Sequence, residues 1–409
     1  MTIYIIRPKT TLAISSLDLI SRKFTPESRQ KQVHEVLNLQ REDPNQQEIL
    51  KWAKEVQNKE TIQVLTNFDE LGVTGTTIVN TLSAEADEQI LKDLPRDCVL
   101  VDQPIELIQP RKAKQSFKRE QDLQKNDLWH LSAIGLETLR TGGLDASGKG
   151  VGIVVLDTGV DGSHPALRGK ITGAYEFEVS QWQAKKIQPS LDTDGHGTHV
   201  AGLICGKKIG VAPEATVLSG VMIPKGRGTL SNFILGLEWA AKNPDIQIVN
   251  ISAGLPGYFS KMEEAVAGLL TVGVLPVCAV GNDGQNKTRC PGNYRDVISV
   301  GASNEKNGIA GFSSSGTLTV NNHIYTVPDL VAPGKAVYSS VVKGGYEAWD
   351  GTSMATPIVS GIASLILERY NDIEILDLRE ELFLRCQKLA QFTDERQGHG
   401  LIQVKLREL

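Results

Sequence analysis

Five short apolar runs limit the fold more than any other feature of the chain: GVGIVVLD, TVLSGVMI, IQIVNIS, GVLPVCAVGN and DVISVGAS. Each is close to continuously apolar and rich in β-branched residues. A strand with one wet face alternates apolar and polar side chains, whereas a strand covered on both faces does not. The runs therefore predict interior strands of a parallel sheet. Parallel neighbours need crossover connections, and helical candidates lie between the runs, among them HGTHVAGLIC, LSNFILGLEWAAK and SKMEEAVAGLLTV. The expected architecture is α/β over residues 126–409, a parallel sheet with helices on both faces. In such sheets the ligand crevice opens at the carboxyl ends of the strands, so the residues that end these runs come first as candidates for chemistry.

Upstream the pattern changes. The stretch PRKAKQSFKREQDLQK holds six Lys or Arg, little apolar content and no period. It reads as an exposed, protease-accessible linker, with residues 1–110 before it and 111–125 as the linker proper. The first region mixes an apolar strand, TIYIIRP, with polar helical stretches near 26–40 and 45–58 and apolar runs at 61–66 and 73–82. Ser83 then sits as an N-cap before AEADEQILKDL, with acids in the first turn. CVLVDQPIELI closes the region. The order β-α-β-β-α-β fits a smaller α+β unit with an open-faced sheet.

At 409 residues the chain has room for both units. A net charge of -5 implies no broad basic face and argues against nucleic acid as the main partner. The first residues, MTIYIIRPKTTLAISSLDLI, are interrupted by Arg7, Lys9, Ser15, Ser16 and Asp18, which does not read as a secretory signal. No stretch reaches the roughly 18–20 apolar residues of a membrane span, so no membrane partner is expected. Five cysteines (Cys98, Cys205, Cys278, Cys290, Cys386) form an odd set without CxxC spacing. Reduced thiols in a cytoplasm fit them better than a disulfide framework or a zinc knuckle. A Cys278–Cys290 pair stays open if the fold joins them.

Four elements carry the chemistry. VVLDTGVDGSHPAL ends an apolar run at Asp157, whose carboxylate should emerge beside the crevice; a strand-to-turn Asp-Thr-Gly is the plain alternative. In DTDGHGTHVAGLICG, His196 sits near the first turn of a buried helix, and the glycines allow close backbone approach. In DGTSMATPIVSGIASLIL, Ser353 opens an apolar helix, so its hydroxyl and N–H lie at the positive end of the helix dipole; a buried N-cap serine is the alternative. VLPVCAVGNDG ends at Asn282, an amide able to donate into the crevice or, more simply, a turn asparagine.

Taken together, DTGVDGSHPAL, HGTHVAG, AVGN and GTSMATP resemble the signature blocks of the subtilisin-like serine proteases. GVAPEA, GRGTLSNFILGLEWA, VNISAG, FSSSG, VAPG and GHGLIQV extend the resemblance over about residues 126–409. It implies a serine endopeptidase working through an acyl-enzyme: Ser353 as nucleophile, His196 as general base and then acid, Asp157 orienting the imidazole. The Asn282 amide and the Ser353 N–H would receive the oxyanion. His164 and His199 fall at structural positions of the same blocks.

The resemblance also implies an extended protein or peptide substrate held between Gly226, Arg227, Gly228 on one side and Ser252, Ala253, Gly254 on the other. Ala279, Gly281 and the loop ending at Cys290 and Pro291 would complete the pocket before the scissile bond. Arg289 is expected near the base of that pocket and Arg227 near one further upstream, which predicts a preference for acidic or polar residues. HGTHVAGLICGKK runs directly into IGVAPEA without the insertion that carries a tight calcium loop in many relatives. No cofactor is expected, and a weaker calcium site stays open. The N-terminal region resembles a pro-domain in outline, an intramolecular inhibitor and folding chaperone with its end threaded through the active site. Self-processing would then fall near 111–128, with Glu120, Asp122 or Asp127 as candidate sites. Its rival is a retained partner-binding domain, favoured by the extra helices.

Two other functions stay open: a catalytically inactive, subtilisin-shaped binding module, and a metallohydrolase using His196 and His199. The complete set of four residues counts against the first. The missing third ligand with diagnostic spacing counts against the second.

Overall fold

The computed structural model describes residues 2–6, 23–56, 62–64, 82–86, 92, 94, 99–112, 116–142 and 147–404. Its centre is a ten-stranded sheet. From one edge the order is Cys386–Gln387, Leu401–Ile402, Leu330–Pro333, Ile298–Ser303, Leu275–Ala279, Ile248–Ile251, Gly152–Asp157, Thr216–Val221, Ile171–Glu178 and Gln183–Lys186. All pairings are parallel except those of the two outermost strands. The five apolar runs form the middle of this sheet. Successive side chains of one strand serve opposite faces: Ile153 and Val155 join the core with Val200, Leu203 and Ile358, while Val154 and Leu156 join Phe233, Leu237 and Val266. Helices cover both faces. No helix among the described residues is long and apolar enough to cross a membrane.

The N-terminal region holds a second, antiparallel sheet in the order Ile62–Val64, Leu82–Ala86, Thr2–Ile6, Val99–Val101. The segment expected to begin a helix at Ser83 is a strand at its start, with Ser83 opposite Ile5. Ladder bonds to strands on both sides satisfy more backbone groups than one capping hydroxyl, so pairing overrides the local signal. The rest of that helix, at 87–91, and most of the run at 73–82 lie outside the described residues. The two polar helices are Pro26–Glu42 and Pro44–Val56, each opening on a proline at its first position.

These helices pack against the half built on the ten-stranded sheet. Phe24 sits in the main core, 3% exposed, and Gln247 donates to its carbonyl at 3.3 Å. Arg29 is fully buried and donates to Ala240, Ala241 and Asn243 carbonyls at 3.3, 3.0 and 2.7 Å and to the Val272 carbonyl at 2.5 Å. Those carbonyls end the helices Leu230–Lys242 and Ser260–Thr271. At the other end of Leu230–Lys242, the Asp102 carboxylate accepts the Ser231 N–H at 2.9 Å and the Gln103 carbonyl accepts that of Leu230 at 2.7 Å. An acid at the start and a guanidinium at the end both suit the helix dipole. Gly273 makes the fit possible: its φ is +73°, and a Cβ there would lie 2.5 Å from the Lys23 carbonyl and Gln32 Oε1.

CVLVDQPIELI does not stay in one sheet. Val99–Val101 closes the N-terminal sheet, and Pro104–Leu107 crosses to pair with Arg227–Thr229 and Ala253–Pro256. The linker is exposed, as expected, yet ordered where described. Arg111–Lys112 pairs with Tyr346–Asp350, and Lys118 exchanges backbone bonds with Tyr346 at 2.8 Å in both directions. Ion pairs Lys118–Asp127, Lys208–Glu120 and Lys125–Glu137 hold the next turns. Cys205, Cys278, Cys290 and Cys386 are free thiols, so Cys278 and Cys290 are not joined; Cys98 lies outside the described residues.

Candidate active site

The buried strand Gly152–Asp157 delivers Asp157 at its carboxyl end. Both carboxylate oxygens face His196 Nδ1, at 2.8 and 2.9 Å, and Oδ1 also accepts the Thr158 N–H at 2.7 Å. A carboxylate only accepts, so Nδ1 carries the proton that faces it. His196 opens the helix His196–Cys205. The next residue has to be glycine: a Cβ on Gly197 would lie 2.0 Å from the Gly159 carbonyl and 3.3 Å from Asp157 Cβ. That close approach sets the helix start against the aspartate turn.

Asp192 braces the same junction. Its Oδ1 accepts the Thr158 hydroxyl at 2.7 Å and the Gly195 N–H at 2.8 Å; its Oδ2 accepts the Thr198 N–H at 2.8 Å and hydroxyl at 2.6 Å. One carboxylate thus ties the residue after Asp157 to the turn that presents His196.

Ser353 is the second residue of the helix Thr352–Arg369. Its N–H belongs to the first turn, which has no intrahelical acceptor. Asn282 Oδ1 accepts the Thr352 N–H at 2.9 Å and hydroxyl at 3.0 Å, which fixes the amide and turns Nδ2 toward the cleft. Asp157, His196 and Ser353 are all fully buried.

Their cover is the chain itself. Pro104–Leu107 lies as an antiparallel strand between Arg227–Thr229 and Ala253–Pro256, with Glu106 opposite both Arg227 and Gly254, Ile105 opposite Gly228, and Leu107 opposite Ala253. The Ile108 N–H points to the Ser252 carbonyl at 3.4 Å, and the Ile105, Leu107 and Ile108 side chains are buried. At Ser353 and Asn282 the threading splits. Ser353 Oγ donates to the Ile108 carbonyl at 3.2 Å, whereas Asn282 Nδ2 donates to the Gln109 carbonyl at 3.2 Å. His196 Nε2, buried, has no hydrogen-bond partner among the described residues.

The two walls expected around the substrate, at 226–228 and 252–254, are the strands that clasp this segment. Ala279 ends a buried strand beside them, and the Gly281 carbonyl accepts the Ser314 N–H at 3.0 Å. Arg289 does not serve as a free cation in the pocket. Its guanidinium is bidentate to Asp283, at 2.6 and 3.2 Å, and holds that carboxyl below its ordinary range. The buried side chain at this point of the cleft is Ile108, so an acidic preference there has no support in the geometry. Glu120, Asp122 and Asp127 have other partners. Glu120 and Asp127 are tied in the ion pairs of the linker turns, and Asp122 accepts the Arg119 N–H within the same turns.

His164 and His199, the other histidines of these sequence blocks, have protein acceptors. His164 Nε2 lies 3.0 Å from the Gly345 carbonyl and His199 Nε2 3.0 Å from that of Glu347. Burial pushes the His199 pKa down to about 3, which keeps it neutral. Among the described residues no group of three or more His, Cys, Asp or Glu is placed to hold a metal ion.

The sequence profile of the subtilase family matches residues 148–400. An intracellular serine protease of Paenibacillus polymyxa is 36% identical over 271 residues, 62% of this chain and 79% of that protein. Subtilisin BL of Lederbergia lenta is 35% identical over 281 residues, 67% of this chain and 96% of its own. Subtilisin E of Bacillus subtilis is 31% identical over 340 residues, 80% of each chain. The chain belongs to the subtilase family and is a serine endopeptidase of the subtilisin type. Protein or peptide substrates come with the family, and its catalysis needs no cofactor.

Proposed function

We propose that Asp157, His196, Ser353 and Asn282 form the catalytic set, and that the N-terminal region holds the enzyme shut by occupying its cleft. The split threading carries this reading. Acyl transfer needs one carbonyl with its carbon at Ser353 Oγ and its oxygen among the oxyanion donors. Here Ser353 and Asn282 hold the oxygens of two successive residues, and the serine proton is given to a carbonyl instead of the base. Pro110 follows with a fixed φ and no N–H, so the segment cannot relax into an ordinary extended substrate at that point.

When a substrate replaces the segment, Ser353 Oγ attacks its carbonyl and passes the proton to His196 Nε2. Asp157 stabilises the imidazolium, and Asn282 Nδ2 and the Ser353 N–H receive the oxyanion. His196 returns the proton to the leaving amine, and water then hydrolyses the acyl-enzyme. Ile108 in the cleft supports an apolar residue before the scissile bond; Glu106 opposite Arg227 supports an acid two positions earlier. The connection from Cys205 to Val211 is too short for a tight calcium loop. Buried free thiols and the intracellular relative support a cytoplasmic setting.

Fluorophosphonate labelling of Ser353 tests the gate. Full-length protein should label slowly, Ile108→Gly at least about 10-fold faster, and Ser353→Ala not at all, with or without chelator. Wild-type labelling as fast as that of Ile108→Gly would show that the segment does not gate the site.

A further inference from the structure

Past Pro110 the chain leaves the catalytic residues along the other half of the cleft. Arg111 pairs with Asp350 and Lys112 with Trp349. The Lys112 ammonium stands 4.5 Å from the centre of the Trp349 ring. His199 covers the same ring at 4.3 Å, with the planes 11° apart. Two groups so close to one ring centre must take opposite faces, so the indole is held between an imidazole below and an ammonium above. The imidazole is neutral and does not compete as a cation. The indole N–H donates to the Glu347 carboxylate at 2.9 Å, which fixes the ring in its plane and places a negative charge at its rim. Six residues on, Lys118 repeats the arrangement, 5.1 Å from the centre of Tyr338. Neither ring takes part in the proton transfers, although Trp349 also stands 6.3 Å from the His196 ring with the planes 27° apart, so the test reads the ratio between peptides and not the overall rate.

We propose that Trp349 is a specificity subsite on the leaving-group side, taking Lys or Arg at the fourth position after the scissile bond, counted from Ile108. This rests on the reading that residues 104–107 and 111–112 pair with the cleft walls as a substrate would, on either side of the split at Ile108 and Gln109. Backbone pairing to Tyr346–Asp350 sets the register, and the ring then selects the side chain that arrives over it. Tryptophan is the best aromatic partner for a cation, and here its far face is already covered, so the open face is the one available. The substrate class is polypeptide that is apolar before the cut and basic a few residues after it. The chain's own ELIQPRK has this character.

The test uses peptides that differ only at the fourth position, with Lys, Arg, norleucine or Glu, hydrolysed by full-length Ile108→Gly. We expect kcat/KM for Lys and Arg about 3- to 10-fold above norleucine, with Glu below it. Moving the Lys to the first or second position should remove the gain. Trp349→Leu in the same background should bring the Lys-to-norleucine ratio close to one, whatever it does to the overall rate. A ratio near one before that substitution, or one that survives it, overturns the subsite. Labelling of Ser353 separates this from the gate. Faster labelling of Ile108→Gly with a ratio near one refutes the subsite alone. If wild type and Ile108→Gly both label fast, the gate has failed, and the open wild-type cleft gives the same ratio directly; if both label slowly, the ratio is read from whichever protein turns the peptides over, and a ratio near one still overturns the subsite.

Discussion

Replacing Arg29 by Met should unfold the catalytic half more easily although Arg29 lies far upstream of it. The Ala240 carbonyl would ordinarily bond the N–H four residues on, but that residue is Pro244, which has none. The N–H of Asp245, which could serve Ala241, goes to Asn243 Oδ1 at 3.0 Å. Arg29 supplies the missing donors. Charge-assisted bonds contribute about 1.5–3 kcal/mol each, and the two shorter ones, at 2.7 and 2.5 Å, sit at the strong end. Burying a guanidinium costs several kcal/mol in return; burial alone draws its pKa down to about 9. The net loss on truncation is about 3 kcal/mol, or a fall of roughly 5 °C or more in melting temperature. Calorimetry in a Ser353→Ala background avoids self-digestion. Arg29→Lys should recover only part, since one ammonium cannot reach four carbonyls, and Lys23→Met, which breaks an exposed pair with Asp372, should leave the melting point close to that of its parent. An Arg29→Met melting point within a degree of its parent would refute the capping argument.

Two further outcomes follow from the same geometry. Burial lowers the pKa of His130 to about 4 and of His199 to about 3, so both stay neutral in the fold while the unfolded chain protonates near 6.5. Their stabilisation is present above that value and lost as pH falls through it, by about 4 kcal/mol between pH 7 and 5 for the pair; a flat denaturation profile over that range would contradict it. Asp192→Asn replaces an acceptor of several converging donors with an amide and should lower kcat by roughly 10- to 100-fold through misplacement of His196, with little change in KM. A rise in KM with kcat unchanged would mean that Asp192 shapes the substrate groove instead.

The sheet was legible because burial on both faces leaves a mark in composition alone: Ile153, Val154, Val155 and Leu156 need no partner to be named before they read as interior. Asp157, His196, Ser353 and Asn282 stood at run ends or helix starts, where position itself says which side chains reach a crevice. Contacts between distant segments leave no such mark. Arg29 lies in a polar helical stretch and looks like its solvated neighbours, though Pro244 after a helix announced a carbonyl without a donor. Pro104 likewise marked the break inside CVLVDQPIELI that sends one half into the cleft. Ser83 was misread because a capping pattern is local and a ladder is not. Arg289 does lie against Gly281, but its pairing with Asp283 in the same loop was not legible, because periodicity carries no information there.

The ordered turns after Lys118 also bear on how many molecules a first cut requires. Ile108 and Gln109 occupy the only position in the cleft where this copy of Ser353 works, and the acids near 120–127 are tied down along the outer edge of the same molecule. While the proposed gate is closed, a cut in residues 116–128 would have to come from a second protease molecule. Activation by that route is second order in protein: dilute preparations would stay silent, concentrated ones would fire after a lag, and one opened copy would seed the rest.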